Sequence, residues 1–344
     1  MINVSFVGCG GMAANYIDVY RSLDYVRLAN IIDPAVPGAS SDFADALGPE
    51  IDAVVISTPN HVHREQAVAA IEAGKHVLLQ KPVANNLAAA EEIAAAAARS
   101  SRTVGLYMSY YDQPLVHDLR DMVTSGWLGG VVHCYARLMH KGGMMWSSEA
   151  LAGHPNWRGS LELTGGGCFI QLAVHHIHIF EWITGARVRR VTAFTRNLHS
   201  PGIEGEDLAV AVLELDSGAV ITLDMAWCSN GEEISIHGTQ GRVNWRDNKL
   251  ALASTAGEFS GRVARYNGGQ VPAFGGPWGE EQQMDVVPPA FHDAANPLNQ
   301  HRQFLEAVRD GRPAPVSIAS GVRDMRIVFA VYESARAGRA VEVA

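Results

Sequence analysis

The chain has 344 residues, 47% of them hydrophobic, with mean hydropathy near zero, which is enough for two globular domains with their own cores. A formal net charge of −9 and a pI of 5.8 argue against nucleic acid or an anionic membrane as partner. No apolar run reaches the roughly 18 residues that span a bilayer. Cys9, Cys134, Cys168 and Cys228 make no C-x-x-C pair, so reduced thiols in a cytoplasmic protein are expected.

Residues 2–7 already read as a buried strand, so no signal peptide is expected before the fold. The strand runs into Gly8-Cys-Gly-Gly-Met-Ala13 and then an apolar-periodic helix to about residue 23. This is G-x-G-x-x-A between a strand and a helix. Gly8 permits the tight turn, Gly10 lets a pyrophosphate approach the backbone, and Ala13 allows close helix–strand packing. With Gly11 and Met12 between them, these residues are the expected dinucleotide cradle. The second strand ends in Asp33, roughly 20 residues beyond Ala13, the spacing of a carboxylate that holds the adenosine ribose. No arginine or serine follows at once, which favours NAD over NADP. An aspartate before Pro34 also suits an ordinary turn.

Residues 35–50 form a short connection where a longer helix–strand segment would be expected. A strand over 51–58 leads to Pro59-Asn-His-Val-His63, and a helix over 64–73 leads through Gly74 into His76-Val-Leu-Leu-Gln-Lys-Pro82. Proline stops this strand, leaving Lys81 at the carboxyl edge of the sheet, where open α/β sheets bind ligands. Asn86 caps an alanine-rich helix to about residue 99, and 103–109 make a further strand. The alternation defines a Rossmann-type domain over 1–111. A second domain is expected over 112–344, whose last helices could pack back on the first. It opens with a helix over 113–125 and a strand over 131–139. An irregular loop over 140–164 carries Trp146, Trp157 and Arg158. Gly165-Gly-Gly-Cys-Phe-Ile-Gln171 is expected to open a helix running through His175, His176 and His178 to residue 184. Alternating strands over 188–245 argue for an antiparallel sheet. Residues 254–297 are Gly/Pro-rich with little periodicity, suggesting a functional cover or subunit contact. Two helices, about 298–310 and 319–337, close the chain.

These residues resemble the glucose-fructose oxidoreductase, inositol dehydrogenase and rhizopine-catabolism group (Gfo/Idh/MocA). The marks are Gly8-x-Gly10-x-x-Ala13, Thr58-Pro59-Asn60 with His63, and Gly74-Lys-His-Val-Leu-Leu-Gln-Lys-Pro82. Further marks are Trp157-Arg158, Gly165-Gly-Gly167 with His175, and Tyr332-Glu-Ser-Ala-x-x-Gly338-Arg. The resemblance implies a Rossmann domain followed by a domain with a large open-faced, mainly antiparallel sheet. It also implies hydride exchange between a nicotinamide and a carbinol carbon, and a homodimer or homotetramer. By the same resemblance Thr58, Pro59, Asn60, His63, Gln80 and Lys81 join the cofactor site. Three positions depart from the family pattern: Gln80, Gln171 and His178 stand where carboxylates are usual. The pocket is then electropositive, which suits an acidic substrate unless Asp112, Glu149 or Glu162 restores neutrality.

Removing a hydride from an alcohol carbon requires a group to take the hydroxyl proton. Gln171, His175 and His178, at i, i+4 and i+7, share one helix face and could address Lys81. Lys81, His175 and Gln171 are therefore the catalytic candidates. Lys81, Tyr110, Trp157, Arg158, Gln171, His175 and His178 are the substrate candidates. His176, about 100° round the helix, reads as structural. Two imidazoles and a glutamine make a poor metal site, and none is expected. The leading reading is an NAD-dependent dehydrogenase of a sugar, sugar acid or cyclitol. One alternative retains NAD and uses it twice, so that a transient keto-sugar permits elimination, epimerisation or cleavage. A non-catalytic nucleotide-binding sensor is disfavoured because Lys81 and His175 are both present.

Overall fold

The computed structural model describes residues 1–257, 259, 273–276, 279–286, 289–290 and 292–343. The chain divides into two compact units, the first being Met1–Asp112, Glu162–Gly165 and Pro289–Met325. In it β1 (Ile2–Val7), β2 (Val26–Ile32), β3 (Ala53–Ile56), β4 (His76–Gln80) and β5 (Val104–Tyr107) make one parallel sheet in the order β2-β1-β3-β4-β5. All four β3 residues are buried, as are Val77 to Leu79 in β4, the continuous apolar pattern of a sheet covered on both faces. α1 (Gly11–Ser22), α2 (His63–Glu72) and α3 (Leu87–Arg99) connect the strands. Asn86 caps α3 by accepting the Ala89 N–H. Between β2 and β3 there is only a short 3-10 turn, Phe43–Leu47, and β2 is an edge strand. The helix Gln300–Asp310 packs on α1, placing Phe304 and Leu305 in the core with Phe6, Tyr16 and Tyr20.

The second unit comprises Gln113–Leu161, Gly166–Pro288 and Arg326–Ala344, and opens with α4 (Pro114–Thr124). Its ten-stranded sheet contains β6 (Val131–Met139), β7 (Val188–Arg196), β8 (Leu208–Leu215), β9 (Val220–Ala226), β10 (Gly231–Gly238), β11 (Gly241–Arg246) and β12 (Lys249–Ser254). β13 (Ala273–Gly276), β14 (Gly279–Asp285) and β15 (Val341–Glu342) complete it. The order is β13-β14-β12-β11-β10-β6-β9-β8-β7-β15, antiparallel throughout except for β6 beside β9. Along β8 Ala209, Ala211, Leu213 and Leu215 are buried while Val212 is exposed, so one face is covered and the other open.

Three expectations are corrected. Residues 140–164 hold a helix, α5 (Gly142–Leu151), a 3-10 turn, Trp157–Gly159, and a short helix, Leu161–Thr164. α5 mixes glycine, methionine and serine without an amphipathic repeat, so its period is illegible. The helix expected from residue 165 starts later: Gly165 has φ +84°, a π-helical turn spans Phe169–Ala173, and regular α6 covers Val174–Thr184. Part of the 254–297 segment, read as a functional cover or subunit contact, pairs as β13 and β14, and residues 260–272 lie outside the described residues.

Candidate functional site

All five parallel strands end at features of the first unit's candidate site. At β1, Gly8 has φ +83°, and a Cβ there would sit 2.8 Å from the backbone of Ser57 and Thr58. Glycine is required because the turn is left-handed and because β3's loop passes against it. A Cβ on Gly10 or Gly11 would meet nothing within 4 Å, so this side is open to a ligand. Gly10 is the N-cap of α1 and no side chain caps it, which leaves first-turn amides and the positive helix end for an anion. Ala13 is buried against the sheet, while the Met12 side chain lies outside the description.

Asp33, just past β2, accepts the Cys9 N–H at 2.6 Å through Oδ2 and the Ala35 N–H at 2.8 Å through Oδ1. It therefore serves its own turn and also braces the glycine loop. Burial, with Asp33 nearby, pushes the Cys9 thiol up to about 11, so it stays protonated and unreactive at neutral pH.

After β3, Asn60 is buried and donates to the Thr164 carbonyl at 3.0 Å. His63 is fully buried, with Nδ1 3.0 Å from the Pro82 carbonyl and Nε2 2.9 Å from that of Thr58. It ties the Thr58 turn to the end of β4, and burial holds its pKa below the ordinary histidine value. At β4 the Gln80 Oε1 accepts the Lys81 backbone N–H at 3.0 Å, and the Lys81–Pro82 peptide is cis. Tyr110 lies in the 3-10 turn Ser109–Asp112 after β5. The glycine loop, Asp33, the Thr58 turn, Gln80, Lys81 and Tyr110 are thus gathered on one sheet edge.

In the second unit, Gln171 lies in the π turn, while His175 and His178 are buried one turn apart on α6. His176 has no exposed surface, contacts the Leu172 carbonyl at 3.3 Å, and is pushed down to about 4 by burial, as suits a packing residue. The start of this helix is built by two residues that the spacing of motifs did not single out for a role. Glu206 accepts the N–H groups of Gly167 and Phe169, each at 2.9 Å, and the Tyr332 hydroxyl at 2.9 Å. Tyr332 in turn accepts the Ile170 N–H at 3.1 Å. A Cβ on Gly166 would lie 2.1 Å from the Tyr332 hydroxyl, and one on Gly167 would lie 2.1 Å from the Glu206 carbonyl. That is why the motif needs glycines. Burial raises the Glu206 carboxyl, and its donors pull it partly back.

Arg158 sits over the faces of Trp157 and Trp146, its guanidinium carbon 4.5 and 5.4 Å from the ring centroids. Trp146 meets Trp227 edge-on at 4.9 Å. Burial lowers the Arg158 pKa, and no carboxylate pairs with its guanidinium among the described residues. Among those residues no group of three or more His, Cys, Asp or Glu could hold a metal ion.

Comparison with known proteins agrees with this arrangement. Residues 2–108 match the model of an oxidoreductase family with an NAD-binding Rossmann fold, and residues 116–244 match the GFO/IDH/MocA C-terminal domain. The 1,5-anhydro-D-fructose reductase of Ensifer adhaerens is 30% identical over 300 residues, covering 86% of this chain and 80% of that protein. The 2,7-anhydro-N-acetylneuraminate hydratase of Escherichia coli is 27% identical, covering 75% of this chain and 70% of that protein. In fold, an oxidoreductase domain protein from Kribbella flavida superposes with a TM-score of 0.82 at 22% identity, each chain being covered in full.

Proposed function

We propose, because this chain belongs to the Gfo/Idh/MocA family of NAD-binding oxidoreductases that act on sugars and cyclitols, that Lys81 and His175 are the acid/base groups of its hydride transfer. Bound NAD supplies the hydride acceptor at a carbinol carbon. The chain's own work is to take up the hydroxyl proton, for which Lys81 at the end of β4 and His175 on α6 are the candidates. Gln171 and His178 then orient substrate hydroxyls, and Tyr110 and Trp157 line the sugar. The observation that carries the reading is the gathering of an uncapped glycine loop, the Thr58 turn and Lys81 on one sheet edge.

Asp33 supports NAD over NADP, because a carboxylate repels a 2′-phosphate. Arg158, half-buried and without a carboxylate partner among the described residues, supports a sugar acid over a neutral sugar, since a bound carboxylate would offset its desolvation. The exposed apolar residues on the open sheet face support a homodimer or homotetramer. No described helix is long and apolar enough to cross a membrane, and a cytoplasmic setting belongs to the same proposal.

A second reading has specific support in the relative named as a hydratase: NAD is retained and used twice, with no net redox change. Incubation with NAD or NADP and a panel of sugars, sugar acids and cyclitols tests both. Net NADH with a sugar acid is the expected result. Product without NADH selects the second reading, and no product from any member of the panel overturns both.

A further inference from the structure

Within the second unit, four successive amides at the head of the histidine helix each have an acceptor. Gly167 and Phe169 donate to Glu206 Oε2 and Oε1, each at 2.9 Å. Cys168 donates to the main-chain carbonyl of the same glutamate at 2.9 Å, and Ile170 donates to the Tyr332 hydroxyl at 3.1 Å. A helix leaves its first four N–H groups without partners of its own, and here two residues from distant chain satisfy them. Tyr332 gives its own hydrogen to Glu206 Oε1 at 2.9 Å. Burial, with Glu206 beside it, holds that hydroxyl well above its ordinary pKa, so it stays a donor. The fit is close on a third side as well, since a Cβ on Gly205 would lie 2.7 Å from the Gly167 Cα.

The other end of the helix is fixed by packing. Every residue from Val174 to Glu181 on α6 is buried, and α6 packs against α4. Between the two fixed ends lies the π turn Phe169–Ala173, with Gln171 at its centre. A π turn bonds i to i+5 where an α-helix bonds i to i+4, so it holds one extra residue. With neither end free to rotate, that residue is trapped in the stretch that carries Gln171. Losing it would turn the head of the helix by roughly 100° relative to His175.

We propose that Glu206 and Tyr332 are positioning residues for Gln171: by holding the amides of Gly167 to Ile170 they keep the π turn, and so set the angle between Gln171 and His175. The proposal rests on the reading of Gln171 as a group that orients substrate hydroxyls. Neither Glu206 nor Tyr332 moves a proton in it. The angle matters more for this chain than for one with the usual carboxylate at position 171. A carboxylate presents two equivalent oxygens, whereas a glutamine presents one acceptor and one NH2 donor, which are not interchangeable toward a hydroxyl.

The experiment compares wild type, Glu206→Gln, Tyr332→Phe, Gln171→Ala and the double variant carrying both Tyr332→Phe and Gln171→Ala. NADH titration is the folding control, since the glycine loop lies in the first unit. Crystal structures of Glu206→Gln and Tyr332→Phe should show Phe169–Ala173 as regular α-helix, with Gln171 turned and His175 in place; this arm needs no substrate. Turnover is read as NADH formed from NAD with D-glucuronate and with D-glucose. Tyr332→Phe should lower kcat about tenfold with the KM for NAD little changed, and Gln171→Ala should lower it as much. The double variant should be no slower than Gln171→Ala, because the hydroxyl acts through the glutamine. A residue that only steadies the fold would instead lower Tm and give additive losses. An intact π turn in both Glu206→Gln and Tyr332→Phe, or additive losses in the double variant, overturns the proposal. Full turnover in Gln171→Ala overturns the reading of Gln171 instead, while the crystal structures still decide whether the two residues set the turn.

Discussion

A histidine whose charged form is penalised by burial stays neutral, and that makes the fold sensitive to acid. Burial pushes His176 down to about 4 and His301 down to about 3 from an ordinary value of 6.5. Both take a proton in the unfolded chain near 6.5 and in the folded chain only well below it. Their stability contribution is fully present above 6.5 and is lost as pH falls toward the folded values. Asp112 has the opposite sign. Its pKa rises from 3.8 to about 7, so its contribution is present below 3.8 and lost as pH rises through 7. Two imidazoles against one carboxyl leave a net release of about one proton between pH 6.5 and 4. Unfolding free energy from these groups should therefore drop about 1.4 kcal/mol per pH unit on acidification. Urea unfolding at a series of pH values checks this, and Asp112→Asn should steepen the drop by removing the opposing group. Residue type alone could not separate His175 from His176; helix phase suggested the division. Nor did anything local mark Glu206, which finds Tyr332 through distant chain, and Asp112, named only as an acid able to restore neutrality, is held in part by the distant Gln300.

At the scale of elements, glycines of one sequence type do two different jobs. A Cβ on Gly10 meets nothing and its backbone has φ −64°, so Gly10→Ala should fold with a Tm within a few degrees of wild type. It should nonetheless weaken NADH binding about tenfold or more, because the added methyl occupies the open side of the loop. Gly167→Ala drives a methyl into the Glu206 backbone and should cost about 2–3 kcal/mol of stability. Parallel thermal melts and NADH fluorescence titrations separate the two effects. The Gly8–Ala13 turn was legible because its flanks are a local strand and a local helix, each with its own period. The Gly165–Gly167 turn was misread as helix because its N–H groups are claimed by a carboxylate and a hydroxyl supplied from far along the chain. α5 escaped notice for lack of an amphipathic repeat, whereas the apolar runs of β1, β3 and β4 announced a sheet covered on both faces.

At the scale of the molecule, the open face of the ten-stranded sheet presents Phe194 at 67% and Val212 at 44% exposure on adjacent strands. Apolar side chains held on a rigid sheet suit a second copy of the same surface. Light scattering at micromolar concentration should give a dimer or tetramer, and Phe194→Glu should shift it to monomer while leaving the melting profile of dilute protein intact. A monomeric wild type would remove the oligomer proposal.

The first unit is also discontinuous in sequence: its last piece, Pro289–Met325, follows almost the whole of the second. That piece supplies His301, whose ring stacks on Tyr16 at 4.4 Å and whose Nδ1 lies 2.6 Å from the Tyr20 hydroxyl. On a ribosome, the glycine loop and all five parallel strands emerge before the second unit, yet α1 waits for this partner until most of that unit has followed. The nucleotide-binding half is begun first and finished late, so a nascent chain stalled before residue 289 holds the fingerprint without the core that steadies it.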